Sequence, residues 1–109
     1  MKEHKYAIGL DFGTLSVRAL MIRIDNGEEI GESVFEYPHG VMEEALPTGE
    51  TLPLNWALQH PMDYLEGLVY TIREVMRQSG VQAENVVGIG VDFTASTVIP
   101  VTKEGTPLC

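Results

Sequence analysis

The chain has 109 residues, room for one domain, and its 44% hydrophobic content supports a packed core and argues against disorder. Seven Lys and Arg against sixteen Asp and Glu leave a formal charge of −9, so there is no basic stripe for non-specific nucleic-acid or anionic-membrane binding. That charge still permits a nucleotide site, where a bound cation and backbone dipoles neutralise phosphate locally.

The single cysteine, Cys109, allows no intrachain disulfide and points to a reducing compartment. No apolar run is long enough to span a bilayer, and the N-terminus runs straight into a strand without a cleavable leader pattern. These features predict a soluble, cytoplasmic protein.

Tyr6–Phe12 is a nearly unbroken apolar run, which predicts a central strand buried on both faces. Residues 17–24 form a second predicted strand. Asp25-Asn26-Gly27 follows, and Asn-Gly between two such runs signals a hairpin because both residues tolerate positive φ. Residues 28–37 complete an antiparallel three-strand opening. Residues 38–59 carry Pro38, Gly40, Pro47, Gly49 and Pro53 with little periodicity. They predict a long excursion that is functional or ordered by a partner, and whose Trp56 requires burial.

The clearest helix is Pro61–Ser79. Pro61 suits the first turn, where its missing N–H costs nothing, and Gly80 supplies the stop. Leu65, Leu68, Val69, Ile72, Val75 and Met76 form one apolar stripe, opposite Glu66, Arg73, Glu74, Arg77 and Gln78. Val86–Phe93 reads as a strand in which Gly88 and Gly90 permit close backbone packing. After Thr94-Ala95-Ser96-Thr97, residues 98–101 predict a short strand and Lys103-Glu104-Gly105 a turn. The predicted order is β-β-β-α-β-β in the α/β class. The helix returns the chain so that Val86–Phe93 lies parallel beside Tyr6–Phe12.

Chemistry concentrates at two places. The first strand delivers a carboxylate at Asp11, the chain turns at Gly13-Thr14, and the second strand carries Arg18. Gly13 lets backbone N–H groups approach phosphate oxygens, Thr14 and Ser16 add hydroxyls, Asp11 can hold Mg²⁺ through its waters, and Arg18 can offer a planar fork. An ordinary β-hairpin accounts for the same spacing, and spacing alone does not choose between the two.

Asp92 ends the Val86–Phe93 strand. Parallel pairing would bring it and Asp11 to the carboxyl edge of the sheet, where ligands bind in open α/β folds. An aspartate opening a turn beside its Ser and Thr neighbours is the plainer alternative. His4, His39 and His60 match no metal spacing, and His60 is placed to cap or pack at the helix start. Asp63 and Glu66 suit the positive end of the helix dipole. No Walker loop, Gly-x-Gly-x-x-Gly or nucleophile elbow is present.

Taken together, Gly9 to Arg18, Val87 to Thr97, Pro100-Val101 with Gly105 to Leu108, and Gln59 to Glu66 resemble the amino-terminal part of the FGGY carbohydrate kinases. Gln59-His60-Pro61-Met62-Asp63-Tyr64-Leu65-Glu66 is similar to its ribulose-phosphorylating members in particular. The resemblance implies a ribonuclease H-like fold of the actin and hexokinase type, of which residues 1–109 are an incomplete first lobe. It implies ATP and Mg²⁺ as cofactors and transfer of the γ-phosphoryl group to a hydroxyl of ribulose, catalysed mainly by positioning and charge stabilisation.

By position, the resemblance puts Asp11 at the Mg²⁺–phosphate, Gly13, Thr14 and Ser16 around the phosphate turn, and Arg18 on the transferring phosphate. Asp92, Thr94, Ala95 and Ser96 would contribute to the sugar pocket. Leu15 departs from the hydroxyl or acidic residue common there. The small Ala95 and Ser96, where other members carry larger pairs, favour ribulose over xylulose or glycerol.

The general base and the adenosine site would lie beyond Cys109, so the chain alone is expected to be inactive. Apolar surface normally covered by later elements would favour self-association, and a homo-oligomer is open. An actin-like ATP-binding or regulatory module without sugar phosphorylation is the alternative class.

Overall fold

The computed structural model describes residues 3–94 and 98–108. Three strands open the chain: β1 (Tyr6–Phe12), β2 (Ser16–Arg23) and β3 (Glu29–Glu36). Two short strands, β4 (Val41–Met42) and β5 (Leu58–Gln59), precede the helix α1 (Pro61–Ser79) and the last strand, β6 (Val86–Phe93). The main sheet runs β3-β2-β1-β6, with β1 antiparallel to β2 and parallel to β6.

Period-two alternation decides which side chains meet the helix. Ile8, Leu10 and Phe12 of β1 and Val17, Ala19 and Met21 of β2 are buried on one face, over which α1 packs chiefly against β2 and β3. The other face is open. Gly9 and Asp11 are exposed, so β1 is covered on one side within this chain rather than on both. Beyond Val86, β6 is exposed along its whole length, because it is an edge strand that α1 leaves largely uncovered.

The helix bounds match the expectation residue for residue. The His60 side chain caps the helix by accepting from the Met62 N–H at 3.3 Å, and Gly80 ends it in the left-handed region at φ 67°. The stripe is divided, however. Gly67, Thr71 and Val75 form the buried line, while Leu65 and Val69 are about half exposed on its flank. Buried hydroxyls are satisfied along this line. Thr71 donates to the Gly67 carbonyl at 2.7 Å, and Ser33 of β3 donates to the Thr71 carbonyl at 2.8 Å.

The expected hairpin between β2 and β3 forms, with the two strands antiparallel. Its loop is closed by Gly27 N–H to Arg23 O and Arg23 N–H to Glu28 O, and of Asn26 and Gly27 only Gly27 takes positive φ. Two further expectations are corrected. Residues 98–101 do not form a strand. A single Val101–Pro107 bridge closes a tight turn instead, because Pro100 lacks a donor and no neighbouring strand pairs with this stretch. Residues 38–59 form a hairpin arm, with β4 paired to β5, a further bridge at Ala45–Thr51 and a turn at Gly49. Trp56 on this arm is 54% exposed, contrary to the expectation of burial.

Candidate functional site at the carboxyl edge of the sheet

Strand register assembles the site. Asp11 is the Cα partner of Arg18 across the β1–β2 ladder and of Asp92 across the β1–β6 ladder. All three therefore lie in one row on the open face, opposite the helix. They line a shallow concavity of about 370 Å³ together with Gly9, Leu20 and Gly90. A Cβ added at Gly9 or Gly90 would meet nothing within 4 Å. The floor is bare backbone, onto which a flat or charged ligand can settle directly.

Asp11 and Asp92 sit on adjacent strands about 4.8 Å apart and repel one another, a repulsion that a cation relieves. Oxygen donors of this kind suit Mg²⁺, held through water by one or two carboxylates and by substrate phosphates. The residues present thus fit the ion. Arg18 leans toward Glu32, with Nε 3.6 Å from Oε1, in an exposed pair that costs little to break. Its guanidinium is free to swing over the concavity.

The phosphate turn differs in detail from the expectation. The Gly13 N–H donates to the Ser16 carbonyl at 2.8 Å, so it closes the turn and is not offered to a ligand. A Cβ at Gly13 would stand 3.1 Å from that same carbonyl oxygen, which is the steric reason for glycine here. Thr14 is exposed at the tip and Ser16 is half-buried at the start of β2. The Leu15 side chain reaches toward Gly40 at the base of the arm, and its carbonyl accepts from the Tyr37 N–H at 2.9 Å.

Among the sugar-pocket candidates, Asp92 joins the row. Thr94 donates its N–H to the Phe12 carbonyl at 3.0 Å and lines a separate apolar cavity of about 320 Å³ on the helix side, with Tyr64, Leu68 and Phe93. Ala95 and Ser96 lie outside the described residues.

A second polar cluster went unread in the sequence. His39, His60 and Asp63 converge, with ligand-capable atoms within 4.8 Å of one another. Asp63 is buried rather than merely complementing the helix dipole. It accepts from the His39 backbone N–H at 3.1 Å and lies 2.8 Å from His39 Nδ1. The two imidazoles stack, with centroids 4.2 Å apart and planes 14° from parallel, so the rings lie face to face rather than converging edge-on upon one point between them. In this arrangement the cluster ties the arm to the helix start through hydrogen bonds and stacking. His39 is 21 residues from His60, so only the return of the arm could reveal the contact.

Beside it, the Tyr37 hydroxyl is buried without a hydrogen-bond partner among the described residues. Burial, then the neighbouring Tyr64, Asp11 and Asp63, pushes its phenol up to about 12. A tyrosine raised in the folded state stabilises fully below its unfolded value near 10 and loses that contribution as pH climbs toward 12. We expect Tyr37→Phe to leave stability at pH 8 unchanged or to raise it by up to about 1 kcal/mol, because an unsatisfied hydroxyl is removed. The variant should also gain on the wild type between pH 10 and 12. Urea denaturation of the full-length protein at the two pH values checks this, and a loss of 2 kcal/mol or more at pH 8 would show that the hydroxyl has a partner.

Solved structures define the class. A gluconate kinase from Lactobacillus acidophilus superposes with a TM-score of 0.76 at 17% identity, covering 98% of this chain and 19% of that one. A xylulose kinase from Rhodospirillum rubrum gives 0.72 at 20%, covering 96% and 19%. At such identities the likeness is one of fold alone, a mixed sheet with one helix packed on it. Residues 6–109 match the FGGY family of carbohydrate kinases, N-terminal domain, and the chain belongs to that family. It is 53% identical over 106 residues to a ribulokinase of Halalkalibacterium halodurans and 49% over 107 residues to a ribulokinase of Mycolicibacterium smegmatis. Each match covers 96% of this chain and 19% of the relative, so the chain spans about a fifth of their length.

Proposed function

We propose that this chain is the amino-terminal part of the first lobe of an ATP-dependent ribulokinase, acting in the cytoplasm in arabinose catabolism. The reaction moves the γ-phosphoryl group of ATP to a hydroxyl of L-ribulose, giving L-ribulose 5-phosphate. The observation that carries the reading is the row Arg18–Asp11–Asp92 over a glycine floor, in a chain up to 53% identical to ribulokinases along 96% of its length.

Each residue has a separate task. Asp11 would hold Mg²⁺, which when bound would supply charge neutralisation at the phosphates. Thr14 and Ser16 offer hydroxyls at the turn, and Arg18 swings from Glu32 to the transferring phosphate. Asp92 accepts a sugar hydroxyl, and small side chains at Ala95 and Ser96 leave room for the ribulose pose. On this reading the general base and the adenosine contacts lie outside these residues, which span 19% of the Halalkalibacterium halodurans relative.

The test is ATP consumption by the full-length protein with L-ribulose, D-ribulose, D-xylulose and glycerol. The expected result is fastest turnover with a ribulose. ATP hydrolysis with no sugar phosphorylated would keep the phosphate hairpin but replace the kinase by an actin-like ATP-binding module.

A further inference from the structure

The stretch from Gln59 to Tyr64 has no part in the row of charged residues, yet three segments meet on it. Gln59, the last residue of β5, donates its side-chain N–H to the Thr14 carbonyl at 2.8 Å. Tyr64, one turn into α1, donates its hydroxyl to the Gln59 side-chain oxygen Oε1, which orients the amide. His60 caps the same helix, and Asp63 grips the base of the arm through His39. Phosphate turn, arm and helix start are thus joined by a chain of hydrogen bonds.

Apart from Gln59, the turn is held by the Gly13 N–H to Ser16 and by the Tyr37 N–H to the Leu15 carbonyl at 2.9 Å. In a planar trans peptide the carbonyl and the following N–H point in opposite directions. Gln59, by holding the Thr14 carbonyl toward the arm, therefore aims the Leu15 N–H to the opposite side of the turn. Among the described residues, neither the Thr14 nor the Leu15 N–H has a backbone partner. Donors fixed before a phosphate arrives cost no reorganisation when it binds.

We propose that Gln59 and Tyr64 are positioning residues that hold the phosphate turn in its ligand-ready shape, Tyr64 acting through the Gln59 amide. The role in catalysis rests on the ribulokinase reading, and the shape of the turn does not.

Two readouts on the full-length protein separate these. The variants are Gln59→Glu, which keeps the acceptor for Tyr64 but loses the donor to Thr14, Tyr64→Phe, and the double variant. Amide hydrogen exchange at Gly13 and Tyr37, whose N–H groups close the turn on Ser16 and Leu15, should quicken about three- to tenfold in Gln59→Glu, with the rest of the sheet and of α1 unchanged. The KM for ATP should rise by a similar factor while the KM for sugar stays constant. Tyr64→Phe should show a smaller version of both effects, and the double variant little more than Gln59→Glu, because the two act through one bond.

Unchanged exchange at the turn in Gln59→Glu overturns the proposal whatever the enzyme does. Faster exchange with an unchanged KM for ATP overturns its catalytic half. If the wild type phosphorylates no sugar, the ribulokinase reading fails, and the exchange result still decides the clamp.

Discussion

On the proposed ribulokinase reading, Asp11→Asn is expected to lower ATP-dependent phosphorylation of ribulose by the full-length protein at least about a hundredfold, with the melting temperature unchanged or slightly higher. The substitution keeps the shape, removes the charge and turns one of the two acceptor oxygens into an amide donor. Losing one charge-stabilising group at a transition state costs on the order of a hundred- to a thousandfold in other enzymes. The fold has no comparable stake in that charge. Asp11 is exposed, makes no ion pair among the described residues, and stands beside Asp92 on the adjacent strand. Removing one of two neighbouring carboxylates relieves repulsion, so a large kinetic loss cannot be assigned to unfolding.

Asp92→Asn supplies the contrast. Placed on the sugar, it should raise the KM for ribulose and leave that for ATP in place. Steady-state kinetics with each substrate varied, alongside thermal denaturation, reads both variants. Activity of Asp11→Asn within tenfold of the wild type would remove Asp11 from the metal–phosphate site, and an ATP effect for Asp92→Asn would mean that the two carboxylates share one ligand.

That row was legible because it follows from pairing rules. A crossover helix makes β1 and β6 parallel, and two aspartates near the ends of parallel strands must come to one edge. The helix ends were legible for a similar reason. Proline at the first position and glycine after the last are stereochemical signals that tertiary contacts seldom override.

The open face of β1 was not legible. An unbroken apolar run suggests burial on both sides, but Gly9 contributes no side chain and the alternate residue is Asp11. Nor was Asp63. A carboxylate in a first helical turn is already explained by the dipole, and only the folded arm brings His39 against it. Residues 98–101 misled in the opposite direction. Three β-branched residues, Val98, Ile99 and Val101, suggest a strand, whereas pairing needs donors and a neighbour, and Pro100 supplies no donor. Local chemistry was readable wherever backbone stereochemistry dictated the outcome, and unreadable wherever the partner came from a distant segment.

Gly67 carries the second large effect. An isolated glycine in a helix costs about 1 kcal/mol relative to alanine, so propensity alone predicts that Gly67→Ala stabilises. The packing reverses that sign. A Cβ at this position would lie 2.5 Å from Val17 Cγ1 and 3.1 Å from Phe35 Cδ2. Val17 cannot yield easily, because it is fully buried and β-branched, with a stiff χ1. Relief must come from lifting α1 off β2 and β3.

Overpacking of this kind costs about 1–3 kcal/mol for added methylenes. Set against the propensity gain of about 1 kcal/mol, Gly67→Ala should therefore lose up to about 2 kcal/mol and Gly67→Val about 3 kcal/mol or more. Thermal and urea denaturation of the full-length protein would show the order wild type, alanine, valine. Val17→Ala offers the decisive partner. Alone it opens a cavity and destabilises; combined with Gly67→Ala it removes the clashing methyl, so the pair should be more stable than the sum of the single losses. If Gly67→Ala stabilises, or if the two substitutions simply add, the close approach of α1 to β2 is not what demands glycine at position 67.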